Sequence, residues 1–186
     1  EVMLRILEER EFPVRTLYPL ASERSAGSTI MFRGKAIRVQ NLATFDFSQA
    51  QLGLFSAGGS VSAEYAPRAV SKGCVVIDNT SHFRMDPDVP LVVSEVNPQA
   101  LSHHKGLIAN PNCSTIIMVV PLWPLHAKHR VRRVVVSTYQ AISGAGARAV
   151  PHGQPADEDR HPHVGERLVH AGLRPGPDHP AHRRPN

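Results

Sequence analysis

Two cysteines, Cys74 and Cys113, are all that this 186-residue chain contains. That is too few for the disulfide framework of a small secreted domain, so reduced thiols and a cytoplasmic setting are expected. No apolar run approaches the ~18 residues that a membrane span requires. The acidic, amphipathic first segment lacks the pattern of a signal peptide. Aromatic residues make up only 5% of the chain, whereas nucleic-acid binding calls for a basic stripe with interleaved aromatics. The one dense cationic run, Lys128-His-Arg-Val-Arg-Arg133, carries no aromatic and reads as a solvated turn between a helix and a strand.

What is present suits a soluble α/β domain. Apolar residues reach 41%, enough for a buried core, and the net charge is +5. All of that charge lies in residues 1–150, and a modest basic excess suits a site for small anions. Residues 1–9 have apolar positions at helical spacing (Val2, Met3, Ile6, Leu7), and Phe12-Pro13 stops that helix. Strands are expected over 14–21, 52–56, 74–78, 91–96, 107–109 and 131–140. A hairpin is expected over 30–33 and 36–40 around Gly34-Lys35, and helices over 60–72 and from Cys113 to about Lys128. Strands alternating with helices predict a Rossmann-like, doubly wound, mostly parallel sheet.

Cys113 is the most informative position. It lies in Leu107-Ile-Ala-Asn-Pro-Asn-Cys-Ser-Thr-Ile-Ile-Met-Val-Val120, where a short apolar strand breaks at Asn110-Pro111 and a helix begins. Asn112 or Ser114 can cap that helix. A helix N-terminus favours the thiolate, which is the nucleophilic form. One cysteine at such a turn is only a candidate, since most cysteines outside disulfides are small buried hydrophobes. Cys74, within an apolar strand, reads as one of those.

Five segments in order sharpen the reading: Leu20-Ala-Ser-Glu-Arg-Ser-Ala-Gly27, Ser56-Ala-Gly-Gly-Ser-Val-Ser62, Val76-Ile-Asp-Asn-Thr-Ser-His-Phe-Arg-Met-Asp-Pro-Asp-Val-Pro90, Asn110-Pro-Asn-Cys-Ser-Thr115 and Ser137-Thr-Tyr-Gln-Ala-Ile-Ser-Gly-Ala-Gly146. Together they resemble aspartate-β-semialdehyde dehydrogenase from Glu1 to about Val150. Glyceraldehyde-phosphate dehydrogenases and N-acetyl-glutamyl-phosphate reductases carry a similar cysteine turn with different flanking residues.

The resemblance implies an NADP-dependent, reversible reductive dephosphorylation of L-aspartyl 4-phosphate to L-aspartate 4-semialdehyde, in lysine, threonine and methionine biosynthesis. Cys113 would be the nucleophile that carries a thioester, with Asn112 hydrogen-bonding substrate or phosphate beside it. Arg84 matches the arginine that binds phosphate; from sequence alone a loop salt bridge with Asp86 or Asp88 serves equally well. Gln140 matches a substrate-orienting glutamine, although a polar residue at a strand end is otherwise merely solvent-facing. Arg24 and Ser25 lie where a ribose 2′-phosphate would sit, which favours NADP despite the adjacent Glu23. Gly58 would permit close cofactor approach, and Ser143-Gly144 resembles the loop on the nicotinamide side. No metal is implied. His161-Pro-His163 and His179-Pro-Ala-His182 lack a supporting cysteine or carboxylate set.

The same resemblance sets the expected organisation: a dinucleotide-binding domain over 1–112, the start of an α+β catalytic and dimerisation domain over 113–150, and a tail over 151–186. A glycine-rich phosphate turn is expected upstream of Glu1. The tail has no Phe, Trp, Tyr, Ile, Met, Cys or Lys and holds 7 of the 16 prolines. Such a composition cannot offset its ordering entropy, so disorder is expected, and a shifted reading frame would produce it. No match to the family's catalytic histidine is found, so an incomplete and inactive chain is the expectation. The alternatives are a non-catalytic paralogue and another acyl-phosphate reductase. The family forms homo-oligomers; neither a nucleic-acid nor a membrane partner is expected.

Overall fold

The computed structural model describes residues 2–139 and divides into two units, one ending at Asn112 and the other beginning at Cys113. The first unit opens with α1 (Val2–Glu9). Its apolar stripe does not enter a core: no residue of α1 is buried, and Val2, Met3 and Ile6 are exposed. The strand expected over 14–21 shrinks to β1 (Leu20–Ala21), which pairs in parallel with β4 (Gln40–Asn41). Between them β2 (Thr29–Phe32) and β3 (Lys35–Arg38) form the expected hairpin. Its tip is Arg33-Gly34, one residue earlier than the sequence suggests. Both residues have positive φ (49° and 71°), as a two-residue turn that follows the strand twist requires.

The part of the fold that organises the site is a parallel sheet of three strands, β5 (Leu52–Phe55), β6 (Val75–Asp78) and β7 (Leu107–Ala109), in that spatial order. α2 (Gly59–Ser71) connects the first two in a βαβ unit. Its buried positions are Ser62, Ala66 and Ala69, a stripe of small side chains at helical spacing that lets the helix lie close to β6. Gly73, at φ 85°, ends the helix: its N–H reaches the Val70 carbonyl at 2.9 Å, and the Cys74 N–H reaches that of Ala69 at 3.1 Å. This double bond pattern is a Schellman cap, which only a residue tolerant of positive φ closes without strain. The core gathers Phe45, Phe47, Ala66, Ala69, Cys74, Val76 and Leu107, with Tyr18, Leu20 and Phe55 packed against them.

Two expected strands are absent. Leu91–Val96 contributes a single parallel bridge, from Leu91 to Ala109, before the chain turns at Val93–Asn97 and enters the short 3-10 helix Pro98–His103. The Asn97 side chain makes that turn by accepting from the Val93 N–H and donating to the Leu91 carbonyl. Residues 131–139 form no strand either. Their valines favour extended backbone, but a strand needs a partner, and none pairs with them among the described residues. Among the described residues the second unit is otherwise α3 (Cys113–His129), with Pro121 and Pro124 inside it and no buried residue. Arg130, at φ 52°, follows its end, its N–H returning to the His126 carbonyl. Element order and sheet topology make this a Rossmann-like α/β fold. The 151–186 tail lies outside the described residues.

Candidate active site

Pairing register fixes where the functional loops emerge. Phe55 stands opposite Asp78, and Asp78 opposite Ala109, so β5, β6 and β7 end in one row. The segments that follow, Ser56–Gly59, Asn79–Arg84 and Asn110–Asn112, therefore all leave the carboxyl edge of the sheet, where open parallel sheets place their ligands. The turns are stitched together by backbone bonds: Asn79 N–H donates to the Phe55 carbonyl and Asn110 N–H to the Asp78 carbonyl, each at 2.8 Å.

Arg84 sits across the ends of two of these strands. Its Nε donates to the Asn110 carbonyl at 2.9 Å and its Nη2 to the Asn79 carbonyl at 3.0 Å. The loop salt bridge that the sequence left open does not form. Asp86 Oδ1 instead accepts from the Asp88 N–H, and Asp88 pairs with Lys105 at 2.6 Å. That pair is exposed; the hydrogen bond and charge of Lys105 lower the Asp88 pKa and Asp88 raises that of Lys105. A guanidinium has five N–H groups. Two are committed to carbonyls, and the other three have no partner among the described residues. A cation held in one plane with spare donors is what recognition of an oxyanion needs.

Behind Arg84 lies a polar cluster that sequence reading missed. Asp78 is fully buried, and its Oδ1 accepts from Ser62 Oγ at 2.8 Å and from the Thr80 N–H at 2.9 Å. Its Oδ2 accepts from Thr80 Oγ1 at 2.8 Å. The Asn110 amide donates to Asn79 Oδ1 at 2.7 Å. A carboxylate closing the apolar strand Cys74-Val-Val-Ile-Asp78 was the available signal, because buried carboxylates need several donors.

The other candidates are placed as follows. Gly58 caps α2 with φ 110°, a conformation that resists any side chain, and a Cβ there would meet nothing within 4 Å. Backbone is thus presented to open space at the end of β5, which suits the close passage of a dinucleotide. Arg24 and Ser25 are exposed on the turn after β1, where the Ser25 N–H bonds to the Ser22 carbonyl at 2.9 Å. Asn112 and Cys113 are both exposed, and Cys113 is the first residue of α3. Cys74 is buried, as expected, and burial pushes its thiol pKa up. Gln140, Ser143 and Gly144 lie outside the described residues. Among the described residues no group of three His, Cys, Asp or Glu side chains is placed to hold a metal, and no helix is long and apolar enough to cross a membrane.

Residues 1–104 match the family model described as semialdehyde dehydrogenase, NAD binding domain. A relative named aspartate-semialdehyde dehydrogenase 2, from Vibrio cholerae, is 57% identical over 148 residues, which cover 78% of this chain and 44% of that protein. The crystal structure of aspartate semialdehyde dehydrogenase II complexed with ASA, from Vibrio cholerae, superposes with a TM-score of 0.76 at 54% identity, over 80% of this chain and 45% of the other. A more distant structure, aspartate semialdehyde dehydrogenase with NADP from Candida albicans, gives a TM-score of 0.59 at 29% identity, over 75% of this chain and 48% of its own. The chain spans less than half the length of each of these relatives.

Proposed function

The chain belongs to the semialdehyde dehydrogenase family, and from that membership we propose that it carries the nucleotide-binding part and the nucleophile of an NADP-dependent aspartate-semialdehyde dehydrogenase. The reaction is the reversible interconversion of L-aspartyl 4-phosphate and L-aspartate 4-semialdehyde plus phosphate, in the cytoplasm and as part of a homo-oligomer. The observation that carries this reading is the Arg84 guanidinium fixed across the ends of β6 and β7 with donors to spare. Arg84 reaches the carbonyl of Asn110, which lies three residues before Cys113 in the chain.

In the oxidative direction the Cys113 sulfur attacks the aldehyde carbon of the substrate, and the oxidised product is a thioester on that sulfur. Phosphate bound by Arg84 then attacks the thioester carbon, the carbon–sulfur bond breaks, and the acyl phosphate leaves as the thiolate is restored. A thioester persists long enough to await phosphate and remains activated toward it. Asn112 donates a hydrogen bond to substrate or phosphate, and Gln140 orients the substrate. NADP, when bound, supplies the hydride-accepting chemistry. Gly58 admits it closely at the end of β5, Arg24 and Ser25 meet its 2′-phosphate, and Ser143-Gly144 contact its nicotinamide side. A cation and a hydroxyl at that turn select NADP over NAD.

Equilibrium titration of the purified chain tests the nucleotide reading. NADP is expected to bind at least about tenfold tighter than NAD, as loss of one charge-assisted contact would predict. Arg24→Ala should remove that preference and leave NAD binding unchanged. Equal affinity for the two nucleotides in the unmodified chain would remove the case for NADP.

A further inference from the structure

A fully buried carboxylate is a costly way to end a strand whose other positions are valine and isoleucine, and packing alone does not ask for one. Asp78 is that carboxylate, and its three donors come from two separate segments, the start of α2 and the turn after β6. Ser62 belongs to the first turn of α2, where its own N–H bonds to the Gly58 carbonyl at 3.1 Å. Thr80 belongs to the turn after β6. Asn79 lies between Asp78 and Thr80, so holding Thr80 by both its N–H and its hydroxyl fixes the peptide units on either side of Asn79. That residue in turn offers two acceptors: its carbonyl takes Arg84 Nη2, and its Oδ1 takes the Asn110 amide. Asn110 supplies the other carbonyl that Arg84 uses.

We propose that Asp78 is a positioning residue for the oxyanion site: through Thr80, Asn79 and Asn110 it holds the Arg84 guanidinium in the plane that leaves three N–H groups for a phosphate. The proposal rests on the reading of Arg84 as the phosphate-binding residue and adds what sets its orientation. Asp78 does not touch substrate in this account. A purely structural role would alter stability alone, whereas a positioning role alters the state of Arg84 in protein that remains folded.

The test is nitrogen-15 spectroscopy of the full 186-residue chain, observing the Arg84 Nε–H signal, titrated with inorganic phosphate. The signal is assigned by its disappearance in Arg84→Lys. In the unmodified chain it should stand apart from the solvent-exposed arginines and move on phosphate addition. Asp78→Ala should return it to the exposed position and weaken phosphate binding by about tenfold, the scale of one charge-assisted hydrogen bond, with the core amide signals still dispersed. Asp78→Asn has the same shape and still accepts from Ser62 and the Thr80 N–H, so it should restore binding to within about twofold. If Asp78→Ala does not fold, Thr80→Val and Ser62→Ala each remove one donor and should show smaller losses of the same kind. Folded variants that keep the native Arg84 signal and phosphate affinity overturn the proposal. No response to phosphate in the unmodified chain overturns the reading of Arg84 itself, and the proposal falls with it.

Discussion

The two cysteines differ in ways that titration and labelling resolve. Cys113 is exposed at the start of α3, whereas Cys74 is 1% exposed and its thiol pKa is pushed up by burial. A protonated, inaccessible thiol is a poor nucleophile. Alkylation near neutral pH should therefore modify one thiol per native chain, and the second only on unfolding. Cys113→Ser should abolish the fast phase; two equal rates in the native chain would contradict this. The raised pKa of Cys74 also has a thermodynamic sign. A group whose folded pKa exceeds its unfolded value contributes stability that is complete below the unfolded pKa and lost as pH rises through the folded one. With the unfolded value near 9.0, denaturation midpoints should be flat near neutrality and fall above about 9, and Cys74→Ala should flatten that fall. Thr80 and Ser62 matter at the same scale. Ser62→Ala removes one donor from a buried carboxylate and should cost about 1–3 kcal/mol in urea denaturation.

Among the described glycines, Gly106 in the loop entering β7 lies closest to a neighbouring side chain, that of Val70 in α2. A Cβ on Gly106 would lie 2.6 Å from Val70 Cγ1, and its φ is +97°. Gly106→Ala must both displace Val70 and occupy a conformation unfavourable to side chains, so a loss of about 2–4 kcal/mol is expected. Gly34, at φ +71° with nothing within 4 Å of a Cβ, meets only the second penalty. Gly34→Ala should cost about 1 kcal/mol, and equal losses in the two variants would show that packing at Gly106 is not limiting. The elements also show which patterns a sequence carries. α2 was legible because its small-residue stripe, its glycine-rich start and Gly73 are all local. The shortening of the 14–21 strand and the loss of the 91–96 strand were not, since pairing decides strand length. Leu91 meets only Ala109 before Asn97 turns the chain away.

At the scale of the molecule, the described part of the second unit is mainly α3, a largely apolar helix with several large side chains exposed. Ile117 is 75% exposed, Leu125 55% and Trp123 43%, and a helix apolar on most of its surface is ordinarily buried. The chain should therefore self-associate: its sedimentation coefficient should rise with concentration, and the double variant Ile117→Lys, Leu125→Lys should suppress the rise. A concentration-independent monomer would show that this surface is tolerated in water. Homo-oligomers are part of the family reading, and exposed apolar surface is the physical reason to expect association here.

The chain by itself determined the parallel α/β order, the hairpin, the helix start at Cys113 and the role of Cys74 as core, because each depends on residues within a few positions of one another. Residues 131–139 of the expected 131–140 strand form none for the complementary reason: β-branched residues supply a preference, only a partner supplies the hydrogen bonds, and none pairs with them among the described residues. What tertiary structure alone decided is the polar assembly at the sheet edge. Its bonds join residues 16, 26 and 31 positions apart, and they meet only because the register brings Phe55, Asp78 and Ala109 into one row. Local pattern marks the strands, but which side chains share an edge depends on how those strands align.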